Sequence, residues 1–149
     1  MNRKHDSFTI ERTYAASPAR VFAAFAEPGT KAQWFGGPPE RWRETERSLD
    51  FRVGGTEVLE GEMKDLGRTR YVARFHRIDP DALLVYAYDM FHGKELLSVS
   101  LGTVAFEATK AGGTKMTYTE QGVFFDEGAG MSRRQGTEEL FDRLGRVLG

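Results

Sequence analysis

The residues of this chain that could do acid–base chemistry are three scattered histidines and a glutamate near the end of the chain. No two of His5, His76 and His92 have the spacing of metal ligands. His76 alternates out of phase with the apolar residues of its strand, so we expect it on the solvent face. His92 follows Asp89 in a segment that we predict to be a loop, and a general base needs a charge partner of this kind. We therefore keep His92 as a candidate, with a solvated loop histidine as the alternative.

Glu138 is the other acid–base candidate, because its position in the last predicted helix turns it toward the interior. Met131, Gln135 and Glu138 are spaced by about one helical turn and share a side with Phe141. A buried carboxylate is costly unless it is paired. Glu138 must therefore contact an arginine or water, or lie beyond the edge of the sheet, and the alternative is that it has no functional role.

Composition and motifs exclude several kinds of chemistry. The chain has no cysteine, so disulfides, thiolate metal sites and a cysteine nucleophile are excluded. It also has no Gly-x-Ser-x-Gly motif. Gly54-Gly55 and Gly112-Gly113 lack the spacing of phosphate-binding loops, and we predict two-residue turns between strands, with a positive φ at Gly54 or Gly55. We expect no metal, no cofactor and no covalent mechanism.

Size and charge indicate one domain without a charged binding face. The 149 residues are 40% hydrophobic, which is enough for one hydrophobic core. The formal net charge is -1, so the chain lacks the excess of positive charge that nucleic-acid-binding proteins have. No stretch approaches the ~18 apolar residues of a membrane-spanning helix, and the N-terminus has no apolar signal region. We therefore predict a single domain over residues 1–149 that is frayed at residues 1–6. We expect it in the cytoplasm, with no nucleic-acid or membrane partner.

Apolar periodicity predicts one strand, two short helices, six more strands and a long helix. Alternation from Phe8 to Tyr14 indicates the first strand. Ser17-Pro18 begins a helix, and residues 30–35 form a second helical turn before the break GGPP at 36–39. The later strands have short connections and therefore pair antiparallel. We place them at Trp42–Val53, Thr56–Asp65, Arg70–Ile78, Leu83–Asp89, Leu96–Ala108 and Lys115–Gly122, and the final helix at Met131–Leu148.

Two of these strands have an ambiguous inner face. In strand 96–108 the apolar residues change parity near Gly102, where we predict a β-bulge. Strand 83–89 is apolar on both faces. The sequence therefore leaves open which pair of its residues faces inward, Tyr86 and Tyr88 or Val85 and Ala87.

Four motifs connect this order of elements to a known superfamily. They are SPARVFAAF at residues 17–25, KAQWF at 31–35, LDFRVGG at 49–55 and GTKMTY at 113–118. With them the chain beyond Ser7 resembles the START-like or helix-grip superfamily, also called SRPBCC. Within it the chain resembles the branch named for the activator of the heat-shock protein 90 ATPase (AHSA-like).

The resemblance implies an α+β fold with a cavity. A curved antiparallel sheet would wrap around a long C-terminal helix, with two short helices after the first strand and the cavity between sheet and helix. The candidates for its lining are Trp34, Tyr71, Phe75, Tyr86, Tyr88, Phe106, Tyr118, Phe124, Phe125, Met131, Gln135 and Glu138.

The same fold hosts carriers, cyclases, hydrolases and co-chaperones, so it leaves three hypotheses for function. The first is a protein that binds a small apolar or aromatic ligand. The second is an enzyme of the cyclase or hydrolase kind that uses Glu138 or His92 as acid–base. The third is a module that interacts with a chaperone. The sequence also leaves open whether the protein is a homodimer.

Overall fold

The computed structural model describes residues 3–125 and 129–149 of the chain, without the side chains of residues 129–131. Its elements are β1 (Lys4–Tyr14), α1 (Pro18–Ala26), α2 (Pro28–Trp34), β2 (Trp42–Leu49), β3 (Thr56–Met63), β4 (Gly67–Asp79), β5 (Leu83–His92), β6 (Glu95–Ala108), β7 (Thr114–Phe124) and α3 (Ala129–Leu148). Residues 4–6, which we expected to fray, belong to β1.

The strands form one antiparallel sheet in the order β1-β7-β6-β5-β4-β3-β2. Strands β2 to β7 follow one another as a meander, because their connections are too short for a crossover. β1 pairs with β7 from Lys4 opposite Phe124 to Tyr14 opposite Thr114. This sheet, with the C-terminal helix packed on it, confirms the α+β helix-grip fold predicted from the sequence.

Proline and serine set the starts of the two short helices. Ser17 caps α1 by accepting a hydrogen bond from the backbone N–H of Arg20 at 3.3 Å, and Pro18 follows as the first helical residue. Pro28 is likewise the first residue of α2, two residues earlier than we predicted, although the side chain of Glu27 before it forms no capping hydrogen bond.

The second half of α3 closes the hydrophobic core. Phe141, Leu144 and Leu148 are 3%, 0% and 6% exposed. The ring centroid of Phe141 lies 5.3 Å from that of Tyr118 on the sheet and 6.3 Å from that of Trp34 on α2. The apolar spacing at the end of the chain therefore predicted this contact correctly.

The glycine turns have the predicted backbone conformation but not the predicted length. Gly54 and Gly112 have φ angles of 83° and 87°, which glycine adopts without strain. β2 ends at Leu49 and not at Val53, so its connection to β3 spans residues 50–55. The loop is longer because Gly54 and Gly55 form backbone hydrogen bonds with Phe75 of β4, at 2.8 and 3.0 Å, and not with β2.

The bulge predicted near Gly102 is wrong. The pairing of β6 with both neighbours is continuous there, and its irregularity with β5 lies at Met90–Phe91. Val99 and Leu101 lie on the outer face and are each 39% exposed. The apolar residues change face along the sequence because the first half of this strand has apolar residues on the outer face of the sheet and small residues on the inner face. The residues on the inner face are Ser98, Ser100, Gly102, Val104 and Phe106.

β5 shows which of its faces is inner. Leu84 and Tyr88 are 1% and 5% exposed, and Tyr86 packs against the hydrophobic core from the same side. β5 also continues to His92. His92 therefore lies at the end of a strand, and its prediction as a loop residue is wrong.

Candidate functional site

A buried carboxylate, that of Glu120, is at the centre of a polar group on the inner face of the sheet. Glu120 is 1% exposed. It accepts hydrogen bonds from the hydroxyls of Tyr88 at 2.7 Å, Ser100 at 2.7 Å and Tyr118 at 2.6 Å. These residues lie on β5, β6 and β7, which are neighbours in the sheet. The strand register therefore brings four polar side chains to one point.

Arg133 of α3 completes this group from the helix side. Its Nη1 lies 3.4 Å from Glu120 Oε2 and donates to the Tyr88 hydroxyl at 2.8 Å. Its Nη2 donates to the Ser98 hydroxyl at 2.9 Å. The guanidinium also lies over the ring of Phe124, 5.3 Å from the centroid, which is within cation–π range. We call Glu120, Arg133, Tyr88, Tyr118, Ser98 and Ser100 the Glu120 cluster.

The tyrosines of this region are protonated at neutral pH. Burial is the main cause that raises the pKa of Tyr71, Tyr88 and Tyr118 well above the ordinary value of 10.0. The charge of Glu120 raises all three pKa values further, whereas Arg133 opposes the shift at Tyr88. Each phenol therefore remains a hydrogen-bond donor.

The Glu120 cluster combines an ion pair with phenols and aromatic faces. All buried side-chain nitrogen and oxygen atoms of the described residues have hydrogen-bond partners, so the cluster is satisfied as it stands. Such a set of groups can bind a polar aromatic compound by stacking and hydrogen bonding. A carboxylate next to phenol hydroxyls can also move a proton.

Five residues of the predicted lining lie in or next to the Glu120 cluster. Tyr88 and Tyr118 belong to it, and Phe124 lies under Arg133. The ring centroid of Tyr88 is 4.8 Å from that of Tyr71 and 6.2 Å from that of Tyr86. Tyr86 keeps some accessible surface although it faces inward.

Other residues of the predicted lining pack in the apolar core. Trp34, Phe75 and Phe106 are 2%, 3% and 5% exposed. The indole nitrogen of Trp34 donates to the carbonyl of Ala24 at 3.0 Å, so its polar atom is satisfied inside the core. Phe125 follows β7 and is half-buried.

The inner side predicted for the first half of α3 is wrong. Arg133 and Thr137 point toward the sheet, spaced by four residues from each other and from Phe141, as one helix face requires. Gln135 is exposed. The side chain of Met131 lies outside the described residues. The stripe of 131, 135 and 138 was plausible because residue 138 is three positions before Phe141. In the observed stripe, Thr137 is four positions before Phe141, and both spacings are compatible with one helix face.

Glu138 lies at the surface, and the prediction that it points inward is wrong for the same reason. Its carboxylate lies 3.8 Å from Arg12 on β1 and 3.8 Å from Arg134 on its own helix, and its side chain is 36% exposed. His92 is also exposed, with its ring Nε2 against the carbonyl of Leu66. Neither acid–base candidate lies in the Glu120 cluster.

Sequence reasoning missed Glu120, Arg133, Ser98 and Ser100. Two signals could have found Glu120 and the serines, whereas no such signal pointed to Arg133. Glu120 is in phase with Tyr118 and Met116 on β7, and the two serines are in phase with buried residues of β6. A charged or polar residue on a buried face is more informative than an aromatic one.

Two surface pockets lie away from this cluster. One, of about 480 Å³, lies beside the start of β2, and the other, of about 330 Å³, lies between α2 and β2. Over residues 3–125 and 129–149, three or more His, Cys, Asp or Glu side chains nowhere come together as a metal site would require. Across the same residues no helix is apolar over a length that could span a membrane.

A sheet that encloses a C-terminal helix over a polar and aromatic interior defines the helix-grip class of proteins. Within it, the chain belongs to the family described as Activator of Hsp90 ATPase homolog 1-like protein, whose model matches residues 15–149. No match was found among curated proteins.

Solved structures of similar proteins share this fold. The Mll3558 protein from Rhizobium loti is 40% identical, with a TM-score of 0.88 over 99% of each chain. A protein from Rhizobium leguminosarum is 44% identical, with a TM-score of 0.91 over 99% of this chain and 96% of that one. The CV1439 protein from Chromobacterium violaceum, 21% identical with a TM-score of 0.80 over 95% of this chain and 96% of that one, shares the fold.

Proposed function

We propose that this protein binds a small aromatic molecule with a hydrogen-bonding group, between the sheet and the first half of α3. The observation that carries the proposal is the Glu120 cluster. Apolar contacts are enough to pack a helix on a sheet, as Phe141 and Leu144 do further along α3. A buried ion pair is often less stable than apolar residues of the same volume, by about 1–4 kcal/mol. Convergent polar groups that are present although apolar residues would be more stable are typical of binding sites.

The chemistry of the cluster supports an aromatic ligand. Tyr86, which keeps some accessible surface, provides a ring face for stacking. Tyr71 and Phe124, whose rings pack against Tyr88 and Arg133, add aromatic surface beside it. Arg133 and the hydroxyls of the cluster provide hydrogen bonds and a positive charge. A phenol or an aromatic acid would use both features, whereas a pure hydrocarbon would use only the rings.

Native mass spectrometry of protein purified from its own cells tests this proposal. We expect a retained small molecule that is released on unfolding. The identified molecule, or failing that a panel of phenols and aromatic acids with aliphatic acids as controls, is then titrated by fluorescence and thermal shift. An aromatic compound should bind more tightly than an aliphatic acid of the same charge.

Two tyrosine variants connect the binding to the cluster. Tyr88→Phe removes the hydroxyl that contacts Glu120 and Arg133 and should weaken binding by about tenfold, the effect of a hydrogen bond to a charged group. Tyr14→Phe is the matched control, because its hydroxyl donates to the Phe141 carbonyl elsewhere in the core. Equal affinity in both variants, or no ligand from cells or panel, would refute the proposal.

A protein-binding role is the second candidate, and one observation favours it. Val99 and Leu101 leave apolar side chains exposed on the outer face of the sheet, which is typical of contact surfaces when such residues are adjacent. The family description names activation of the Hsp90 ATPase. An ATPase assay with this protein tests the role, and a stimulation that Val99→Lys with Leu101→Lys removes would support it.

A further inference from the structure

A second buried ion pair joins α2 to the sheet, apart from every residue of the Glu120 cluster. Lys31 Nζ lies 3.0 Å from Glu57 Oε1, and the two side chains are 8% and 4% exposed. The ammonium also lies over the rings of Phe35 and Trp34, 4.6 and 5.5 Å from their centroids. Carboxylate and rings together fix this ammonium in place.

This pair lines the pocket of about 330 Å³ between α2 and β2. Pro28 and Leu49 supply apolar walls, and Arg47 and Glu44 supply a second pair of charges. Two cations and two anions therefore line one concave surface. A pocket with this balance attracts neither a simple anion nor a simple cation by its net charge.

Glu57 presents one of its oxygens to the pocket. Its side chain forms a hydrogen bond through Oε1, to Lys31. Every side-chain nitrogen or oxygen that is fully buried in the described part of the chain has a partner. Since Oε2 has none among those residues, it must be reached from the pocket that Glu57 lines. An acceptor with a negative charge, in a side chain that is otherwise buried, is thus aimed into the cavity.

Arg47 supplies the complementary donor. Its Nη2 donates to the Phe35 carbonyl at 2.7 Å, which holds the guanidinium in place, and its Nε donates to Glu44 at 2.9 Å. The Glu44 side chain is 42% exposed, and exposed ion pairs contribute little stability. A carboxylate from solution could therefore replace Glu44 on a guanidinium that is already positioned.

The strand register places Arg47 and Glu57 next to each other in the sheet. Leu49 of β2 is opposite Glu57 of β3, and Arg47 is opposite Leu59. Arg47 and Glu57 are therefore diagonal neighbours, and their backbones lie about 7–8 Å apart. A compact molecule with one ammonium and one carboxylate can bridge them.

We propose that this pocket binds a small zwitterion of the amino-acid class. The ligand ammonium donates to Glu57 Oε2, and the ligand carboxylate accepts from Arg47 in place of Glu44. The apolar walls at Pro28 and Leu49 accommodate a small side chain.

Chemical-shift titration of the isotope-labelled protein with glycine, L-alanine and L-leucine tests this inference. N-acetyl-L-alanine lacks the ammonium and L-alaninamide lacks the carboxylate, so they are the matched control ligands. We expect the zwitterions to shift the resonances of Arg47, Leu49 and Glu57 and the blocked analogues to do so only weakly. Equal shifts with blocked and free compounds, or none with any zwitterion, would overturn the inference.

Two substitutions on β2 should change the affinity for the zwitterion in opposite directions. Glu44→Gln removes the carboxylate that competes for Arg47 and should tighten binding about two- to fivefold, whereas Glu46→Gln, which breaks a pair with Arg70, should not. Arg47→Met should weaken binding at least about tenfold, and Arg43→Met, which breaks an exposed pair with Glu62, should not. Weaker binding in Glu44→Gln, or equal binding in the two Met variants, would contradict the proposal.

A third variant distinguishes loss of a binding group from loss of binding through misfolding. Glu57→Gln leaves the Lys31 ammonium buried without a carboxylate, which is destabilising. Its amide spectrum reports directly whether it folds. Folded Glu57→Gln that binds L-alanine as tightly as the wild type would also overturn the inference.

Discussion

Arg133 Nη1 lies 3.4 Å from Glu120 Oε2, and this pair joins the first half of α3 to the centre of the sheet. The two side chains are 14% and 1% exposed. Arg133 is held further by Ser98 and Tyr88. The helix is therefore attached to the sheet by polar contacts in its first half and by apolar packing in its second.

Arg133→Met should destabilise the protein by about 3–5 kcal/mol, because it leaves the Glu120 carboxylate buried without its cation. Urea denaturation measures the loss. Arg134→Met is the matched control on the same helix, and its effect should stay within about 0.5 kcal/mol because Arg134 is 46% exposed. Similar losses in the two variants would mean that the ion pair does not stabilise the fold.

The double variant Glu120→Gln with Arg133→Met should be more stable than the sum of the two single changes predicts. With both charges gone, no buried ion lacks a partner, and an amide can still accept hydrogen bonds from the tyrosines. Strict additivity of the free energies of unfolding would show that the two residues are not coupled.

The protein should lose stability above about pH 10. All five tyrosines, Tyr14, Tyr71, Tyr86, Tyr88 and Tyr118, have a pKa raised by burial above the ordinary value of 10.0. A pKa that folding raises contributes stability that is complete below the unfolded pKa and is lost as the pH rises toward the folded one.

Tyrosinate absorbance during alkaline titration measures this effect. In the folded protein we expect ionisation delayed beyond pH 10.0 and coincident with unfolding, whereas in urea the same chain should titrate near its ordinary pKa of 10.0. A titration of the folded protein that matches the one in urea would show that the phenols are open to water.

Phe141→Ala should destabilise the protein by about 3–5 kcal/mol, as truncation of a core aromatic does. Phe141 is 3% exposed and contacts both Tyr118 and Trp34. Leu140→Ala is the control, since Leu140 is only half-buried, and should cost less. A loss below about 1 kcal/mol in urea melts would mean that α3 does not close the core.

Gly136→Ala should stabilise the protein by about 0.5–1 kcal/mol, because alanine has less conformational freedom to lose in a helix. A Cβ at Gly136 meets no atom within 4 Å. Gly145→Ala is the control on the same helix, because its Cβ would lie 3.2 Å from the ring of Tyr14. It should gain less, as thermal melting of the two variants would show.

Local patterns of the sequence predicted the order of elements and the closing role of the second half of α3, whereas the helix-grip fold was predicted from the resemblance that the four motifs carry. The local patterns are the Ser17-Pro18 start of a helix, the glycine turn at Gly54, and an apolar run at helical spacing around Phe141 and Leu144. Such patterns are contained within a few residues of chain, so they can be recognised without knowledge of the neighbours.

The position of the polar interior depends on tertiary contacts that no local pattern reveals. Glu120 is buried because the register of β5, β6 and β7 places Tyr88, Ser100 and Tyr118 around it, and register depends on pairing between strands that are distant in sequence. The predicted inner face of α3 contains Glu138 and the observed inner face contains Thr137. This difference of one residue corresponds to a rotation of about 100° around the helix axis. In the observed orientation Glu138 lies at the surface and Arg133 contacts Glu120. Packing of the helix against the sheet sets this orientation, and the sequence of the helix alone does not.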